Sequence, residues 1–287
     1  MGRVAYVNGR FVPHSAAAVH IEDRGFQFAD GVYEVWSVFA GRLIDSEGHF
    51  ARLERSLNEL RIPQPMTRAA LGLVLAEAVR RNRIGDGMVY LQVTRGAAAR
   101  DHAFPPPGTK PSVVITAKAL DYAASEARAA AGVKVITQPD IRWGRCDIKT
   151  VGLLPNSLAK QAAREAGALE AWLVDDDGYV TEGASTNAWI VDQAGVLRTR
   201  DTGSNILRGV TRASVIELAR ELQMKVEERP FSVEEAKQAR EAFITSASLF
   251  VTPVVALDGA KIGAGTPGPV AARLRSLYLE QARNGAH

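Results

Sequence analysis

Apolar positions in the first part of the chain alternate, then take up helical spacing. Between Val4 and Val12 they flank Asn8-Gly9, the dipeptide of a tight hairpin turn. A further strand is expected from Val32 to Phe39, turning at Gly41-Arg42 into Leu43-Ile44. Phe50, Leu53, Leu57 and Leu60 then recur every three or four residues and so share one helix face, which Pro63 and Pro65 should stop. Leu71, Val74, Leu75 and Ala78 repeat that spacing in a second helix. Strands follow at Val89 to Thr94 and Val113 to Ala117, joined across Pro105-Pro106-Pro107-Gly108.

The second half alternates element types. Strands are expected at Val133 to Ile136, Ala171 to Val174, Ala188 to Val191 and Ala242 to Thr245. Helices are expected at Ser157 to Ala166, Thr211 to Leu222, Val233 to Ala239 and Val270 to Ala282, with Asp258-Gly259 marking a late hairpin. The fold class is therefore α/β (α+β) in two domains. A small N-terminal α/β domain spans 1–119, a linker 120–124, and a large C-terminal α/β domain 125–287, which would contain Lys149.

Composition narrows the picture by exclusion. At 287 residues, with 46% hydrophobic and 23% charged residues, the chain suits a soluble globular protein of about two domains. A net charge of +3, evenly spread, argues against a nucleic-acid partner. No apolar run approaches the roughly 20 residues that cross a bilayer, and Met1-Gly2-Arg3-Val4-Ala5-Tyr6 opens no signal peptide. Tyr6 also breaks the myristoylation pattern, so no membrane partner is expected. The single cysteine, Cys146, cannot form an internal disulfide, which fits the cytoplasm, and it reads as a packing residue. His14, His20, His49 and His287 lack metal-ligand spacing. Asp175-Asp176-Asp177-Gly178 lacks the later ligands of a calcium loop and reads as a turn, so no metal is expected.

The candidate chemistry centres on Lys149, set among Ile148, Val151, Leu153 and Leu154 with Arg145 nearby. Apolar neighbours and a second positive charge both favour the free amine, the form that attacks carbonyls. Glu182 follows within Val180-Thr181-Glu182-Gly183-Ala184-Ser185-Thr186-Asn187, a carboxylate among small and hydroxyl residues. An amine to hold an aldehyde and an acid to keep a pyridine ring protonated are what pyridoxal phosphate chemistry asks of a protein. Spacing alone equally allows a snorkelling lysine and a solvated glutamate.

The order of motifs adds to this. His20-Ile21-Glu22-Asp23-Arg24-Gly25-Phe26-Gln27-Phe28-Ala29-Asp30-Gly31-Val32-Tyr33-Glu34-Val35 resembles the opening motif of fold type IV (class IV) aminotransferases, most like the D-amino acid aminotransferases. Val93-Thr94-Arg95-Gly96, the Arg142 to Leu154 stretch, Thr181-Glu182-Gly183 and Phe243-Ile244-Thr245-Ser246 match in the same order, so the resemblance runs from about Val7 to Leu257. It implies a two-domain fold type IV enzyme using pyridoxal 5'-phosphate, with Lys149 as Schiff-base lysine and Glu182 as partner of the pyridinium nitrogen. It also implies phosphate contacts from Thr211 and the helix start at Leu207 and Val210, from Arg52, and from a turn at Ser246 and Ala247, with Ser185 a further cofactor contact.

At that turn the D-specific pattern commonly has a hydroxyl where Ala247 stands, so only a backbone contact would survive there. Without the resemblance, Gly209-Val210-Thr211 would read as a helix cap and Arg52 as a solvated helix residue. Arg100 and His102 would read as an exposed basic loop. With it, Arg100, His102 and the Tyr33 hydroxyl form a trap for the substrate carboxylate, since arginine presents a planar fork to such a group. Arg95 is assigned to loop structure. The implied reaction is transfer of an amino group from a D-amino acid such as D-alanine to a 2-oxo acid such as 2-oxoglutarate, in two half-reactions, by a homodimer with shared active sites. A branched-chain L-aminotransferase, an aminodeoxychorismate lyase and a non-catalytic scaffold protein remain as alternatives, while the complete trap argues against an (R)-amine transaminase.

Overall fold

A computed structural model of the chain describes residues 2–284, which fall into two compact units. The first takes in the chain up to Asp121 together with Ile148–Gly152; the second takes in Tyr122–Asp147 and the chain from Leu153. Two expectations are corrected by this division. The units divide at Asp121/Tyr122, inside the expected 120–124 linker, but a helix begins at Tyr122, so the linker is shorter than expected; alanine, abundant through Ala131, has the highest intrinsic helix propensity. Lys149 belongs with the first unit and not with the C-terminal one.

The first unit contains β1 (Val4–Val7), β2 (Arg10–Pro13), α1 (Arg24–Phe28), β3 (Gly31–Phe39), β4 (Arg42–Leu43), α2 (Ser46–Glu59), α3 (Arg68–Arg81), β5 (Gly87–Thr94) and β6 (Ser112–Ala119). Its strands form one antiparallel sheet in the order β2-β1-β6-β5-β3-β4. Asn8 and Gly9 both have positive φ (45° and 95°), the backbone that a two-residue hairpin turn needs. The expected stripes of α2 and α3 bury Phe50, Leu53, Leu57, Leu71, Leu75 and Ala78 against Trp36, Val38, Val89, Leu91 and Ile115. α2 ends at Glu59, with Leu60 as its cap and Arg61 at φ 53°, so Pro63 follows the helix end and does not cause it.

The placement of Lys149 follows from how β3 is paired. β4 pairs with β3 only at Val38 and Phe39, which leaves the start of β3 open on that side. The 148–152 segment takes that edge. The Tyr33 N–H donates to Lys149 O at 3.0 Å, the Val151 N–H donates to Gly31 O at 3.0 Å, and Val32 bridges to Thr150. Buried Ile148 anchors the segment in the same core.

The second unit contains α4 (Tyr122–Ala131), β7 (Val133–Pro139), α5 (Leu154–Glu165), β8 (Glu170–Val174), β9 (Val180–Gly183), β10 (Asn187–Val191), β11 (Leu197–Thr199), α6 (Val210–Glu221), β12 (Val226–Glu228), α7 (Val233–Lys237), β13 (Glu241–Ser246), β14 (Phe250–Leu257), β15 (Ala260–Lys261) and α8 (Pro269–Asn284). The sheet runs β12-β11-β10-β13-β14-β7-β8-β9, with β15 added on β14. β7 pairs in parallel with both β8 and β14, and β11 with β12. β14 is a buried strand near the middle of the sheet although Pro253 lies within it. Proline removes a ladder donor, but the parallel ladder to β7 begins only at Val254 opposite Val133, just past the proline. The Asp175–Gly178 stretch is the turn joining β8 to β9.

Candidate active site

The lysine half of the chemistry lies wholly in the first unit. The Lys149 backbone is fixed on two sides, by Tyr33 N–H on its carbonyl and by Ser56 Oγ, which accepts from its N–H at 3.3 Å. Its Nζ lies 4.1 Å from the centroid of the Tyr33 ring, an orientation in which the ring face attracts a cation. Tyr33 in turn stacks on Tyr90 at 5.6 Å, and the Tyr90 hydroxyl donates to Gln92 at 2.7 Å. Burial, with a smaller contribution from Tyr33, pushes the Tyr90 phenol up to about 12. The surroundings of the amine differ from the expectation in two ways. Leu153 and Leu154 are exposed, so the apolar wall beside the amine is the Tyr33 ring. Arg145 places its guanidinium on Asp147 at 2.9 Å, within the second unit.

The acid half lies wholly in the second unit. Glu182 is buried at the end of β9 and meets three donors. They are an Arg142 guanidinium nitrogen, Asn187 Nδ2 at 3.0 Å, and the Leu207 N–H at 3.1 Å from each carboxylate oxygen. Every donor favours the ionised form. Arg142 also forks onto Asp140 (Nε to Oδ1 2.8 Å, Nη2 to Oδ2 2.7 Å). Burial works against its charge, yet the Asp140 and Glu182 carboxylates outweigh burial and hold Arg142 protonated more firmly than an ordinary arginine. Burial opposes ionisation of Asp140 too, but the Arg142 contacts overcome it and hold that carboxyl below its ordinary value.

The start of α6 provides a test of whether these residues suit the phosphate of pyridoxal 5'-phosphate. Its cap residue Gly209 offers no side-chain acceptor, so the first N–H groups of a twelve-residue helix are left for another acceptor. Thr211 is the second residue of the helix and not its cap. Its hydroxyl is buried with no hydrogen-bond partner among the described residues. An orphaned donor beside a helix start without a side-chain cap fits an anion; Gly209 is the cap, as the plain reading had it, but Thr211 takes no part in capping. Leu207 and Val210 are half-buried on either side of Gly209. Ser246 closes β13, and its Oγ accepts from the Leu249 N–H at 3.2 Å, which shapes the turn that includes Ala247. The carbonyls of Leu249 and Val251 accept from buried Arg275 at 3.0 and 2.7 Å.

The other expected residues are placed as follows. Arg52 is no solvated helix residue: it forks onto fully buried Glu34, Nε to Oε1 at 2.7 Å and Nη2 to Oε2 at 2.9 Å. His49 joins them, its Nδ1 2.8 Å from Glu34 Oε2. Ser185 donates its hydroxyl to Glu170 at 2.7 Å, so that group already has a structural partner. Arg100 and His102 are exposed and both lie against Phe28, at 5.0 and 5.4 Å from its ring. Among the described residues, no hydrogen bond, ion pair or ring contact joins either to Tyr33 or Lys149. Arg24 holds their loop by donating to the carbonyl of Asp101 at 2.6 Å. Arg95 is structural, forked on Asp30 and donating to the carbonyls of Leu60 and Arg61. Cys146 donates to Trp143 O, and burial pushes its thiol up to about 11. His287 lies outside the described residues.

Arg142 and Asn187 went unassigned in the sequence. Both stand inside quoted motifs, but nothing in their spacing shows that they converge on Glu182 from 40 and 5 residues away.

The amino-transferase class IV family model matches residues 31–257. The D-alanine aminotransferase of Bacillus licheniformis is 43% identical over 263 residues, covering 92% of this chain and 91% of its own. That of Staphylococcus haemolyticus is 38% identical over 278 residues, covering 96% and 97%. Among solved structures, the branched-chain amino acid aminotransferase of Escherichia coli superposes with a TM-score of 0.90 at 26% identity, covering 99% of this chain and 96% of that one. A branched-chain amino acid aminotransferase from T.th., solved with pyridoxamine 5'-phosphate, gives 0.89 at 30% identity, covering 99% and 95%.

Proposed function

The chain belongs to the class IV amino-transferases, and from that premise we infer that it moves amino groups between D-amino acids, D-alanine among them, and 2-oxo acids. Its cofactor is pyridoxal 5'-phosphate. The bound cofactor supplies an electron sink for the negative charge that develops at the substrate α-carbon. Lys149 Nζ would hold the aldehyde and, when free, would move the proton at the substrate α-carbon. The Tyr33 ring face keeps the charged amine in place while it does so. Glu182, met by donors that favour its ionised form, would keep the ring nitrogen protonated. Thr211, the helix start at Leu207 and Val210, and the Ser246-Ala247 turn would take the phosphate. Arg52 is assigned a phosphate contact on the family resemblance alone, with its guanidinium oriented by the fork onto Glu34.

The observation that carries this reading is the triple-donor setting of Glu182, which suits a permanently charged partner for a pyridinium. The choice of D-amino acids rests on relatives at 37–43% identity named D-alanine aminotransferases, against 25–30% for branched-chain enzymes of known structure. Arg100, His102 and Tyr33 supply the donors that would hold a carboxylate. Because Arg100 and His102 lie apart from Lys149 within one chain, we assign them to the neighbouring subunit's site in a homodimer. The single cysteine, buried and unpaired, is in keeping with the cytoplasm.

The test uses the purified holoprotein. Borohydride reduction should fix the cofactor on the Lys149 peptide by mass spectrometry, and D-alanine without an acceptor should bleach the visible band. Conversion by L-leucine and not by D-alanine would replace this reading with the branched-chain one. Co-expressing Lys149→Ala with Arg100→Ala should restore activity in mixed dimers; no restoration would sink the shared site.

A further inference from the structure

We propose that Asn187 is a positioning residue that ties Glu182 to the phosphate-binding turn, and that Gly209 is glycine because a side chain there would displace it. The inference rests on Glu182 being the partner of the ring nitrogen. Asn187 is buried and its Nδ2 donates to Glu182 Oε2 and to Leu207 O, both at 3.0 Å. Both partners only accept, so the amide orientation is unambiguous. The Leu207 N–H donates back to the Glu182 carboxylate, which closes a ring of hydrogen bonds through Glu182, Asn187 and Leu207.

The other side of the amide faces the cap of α6. A Cβ built on Gly209 would overlap Asn187 Oδ1, and would crowd Arg212 Cβ at 3.1 Å and Asn187 Cγ at 3.2 Å. Gly209 has φ −62° and ψ 132°, backbone angles that alanine adopts without strain. Its need for glycine therefore comes from these side chains, Asn187 Oδ1 foremost, and not from the backbone angles. Asn187 also stands opposite Thr245 in the β10–β13 pairing, one residue before Ser246. One amide thus touches the acid, lies against the cap that precedes Val210 and Thr211, and sits beside the strand that delivers the second phosphate turn. It fixes the spacing between the group that answers the ring nitrogen and the groups that answer the phosphate, two points on a rigid ring separated by a fixed distance.

The test measures cofactor dissociation, the pH titration of the holoenzyme's visible band, and apoprotein melting for Asn187→Ala, Asn187→Asp, Gly209→Ala and the Asn187→Ala/Gly209→Ala pair. Asn187→Ala should weaken cofactor binding about ten- to a hundredfold and move the titration midpoint by roughly one to two units, the size of one lost hydrogen bond to a charged group. Asn187→Asp keeps the shape but sets a second carboxylate against Glu182, and should be worse. Gly209→Ala should reproduce Asn187→Ala, and the double variant should be little worse than Asn187→Ala alone, since the closest clash has lost its partner and only the Arg212 Cβ contact is left. The proposal is overturned if Asn187→Ala changes melting but leaves the midpoint and dissociation constant alone, or if the two effects multiply. Glu182→Gln separates the layers: should it leave the band and the half-reaction intact, the underlying reading fails, whereas an impaired Glu182→Gln beside a normal Asn187→Ala removes only the tie.

Discussion

Glu182→Gln separates chemistry from packing. The two side chains have nearly the same volume, so no cavity opens, and what changes is charge and hydrogen-bond polarity. Glu182 is met by the donors Arg142, Asn187 Nδ2 and the Leu207 N–H. Glutamine can accept at its oxygen, but its NH₂ must then face at least one of those donors. Arg142 keeps Asp140, so the loss is about one charge-assisted bond, roughly 1.5–3 kcal/mol of stability. At about 2–4 °C per kcal/mol for a domain this size, melting should fall by roughly 3–12 °C. The chemical loss is larger. A neutral amide cannot keep a proton on the ring nitrogen, and removing one such electrostatic partner costs on the order of 10²–10³ in rate. Single-turnover conversion of the holoenzyme by D-alanine, followed in the visible spectrum, should therefore slow at least a hundredfold while the borohydride-fixed adduct on Lys149 persists. A slowing of less than about tenfold, with melting lowered as expected, would mean that Glu182 is only a structural anion for Arg142.

Three further outcomes follow from the same geometry. In the first unit burial opposes the charge on Glu34, but Arg52 and then His49 outweigh it and lower the carboxyl, so it contributes stability above its unfolded value of 4.5 that is lost as pH falls. Burial lowers His49 as well, so a second acid-side loss begins below 6.5. Glu34→Gln should cost about 3–5 kcal/mol at neutral pH by taking the buried carboxylate away from the Arg52 guanidinium. Its melting curve should flatten below pH 4.5, and an unchanged acid slope would refute the assignment. Arg100→Ala should raise the KM for D-alanine more than it lowers kcat, since among the described residues the guanidinium has only the Phe28 ring contact, and unchanged kinetics would remove it from the trap. Leu57→Ala, at a fully buried position between α2 and the sheet, should cost about 2–5 kcal/mol by denaturant titration without altering the visible band of the folded holoprotein.

Features decided by local repetition were legible in the sequence. The α2 and α3 stripes and the Asn8-Gly9 turn formed as their spacing required. β14 was hidden because Pro253 speaks against a central strand; only the late start of the β7 ladder makes it acceptable, and that is a property of a neighbour 120 residues away in sequence (253 − 133). The helix from Tyr122 was hidden because the face it buries, at Ser125 and Ala129, is made of small side chains that do not stand out as a stripe.

The site divides along a similar line. Lys149 and Glu182 could be singled out because an amine and a carboxylate announce their chemistry by residue type. The identity of the unit that holds Lys149 could not, because main-chain hydrogen bonds to Gly31 and Tyr33 fix it, and every residue carries those groups. The arginines make the point most directly. Arg52, Arg95, Arg142 and Arg145 have the same fork and opposite carboxylates in Glu34, Asp30, Asp140 and Asp147. Only Arg142 extends its fork to Glu182 as well, so its role is set by a partner that folding brings to it. A side chain whose chemistry is intrinsic can be read from sequence, whereas one whose chemistry is conferred by its neighbours has to wait for the fold.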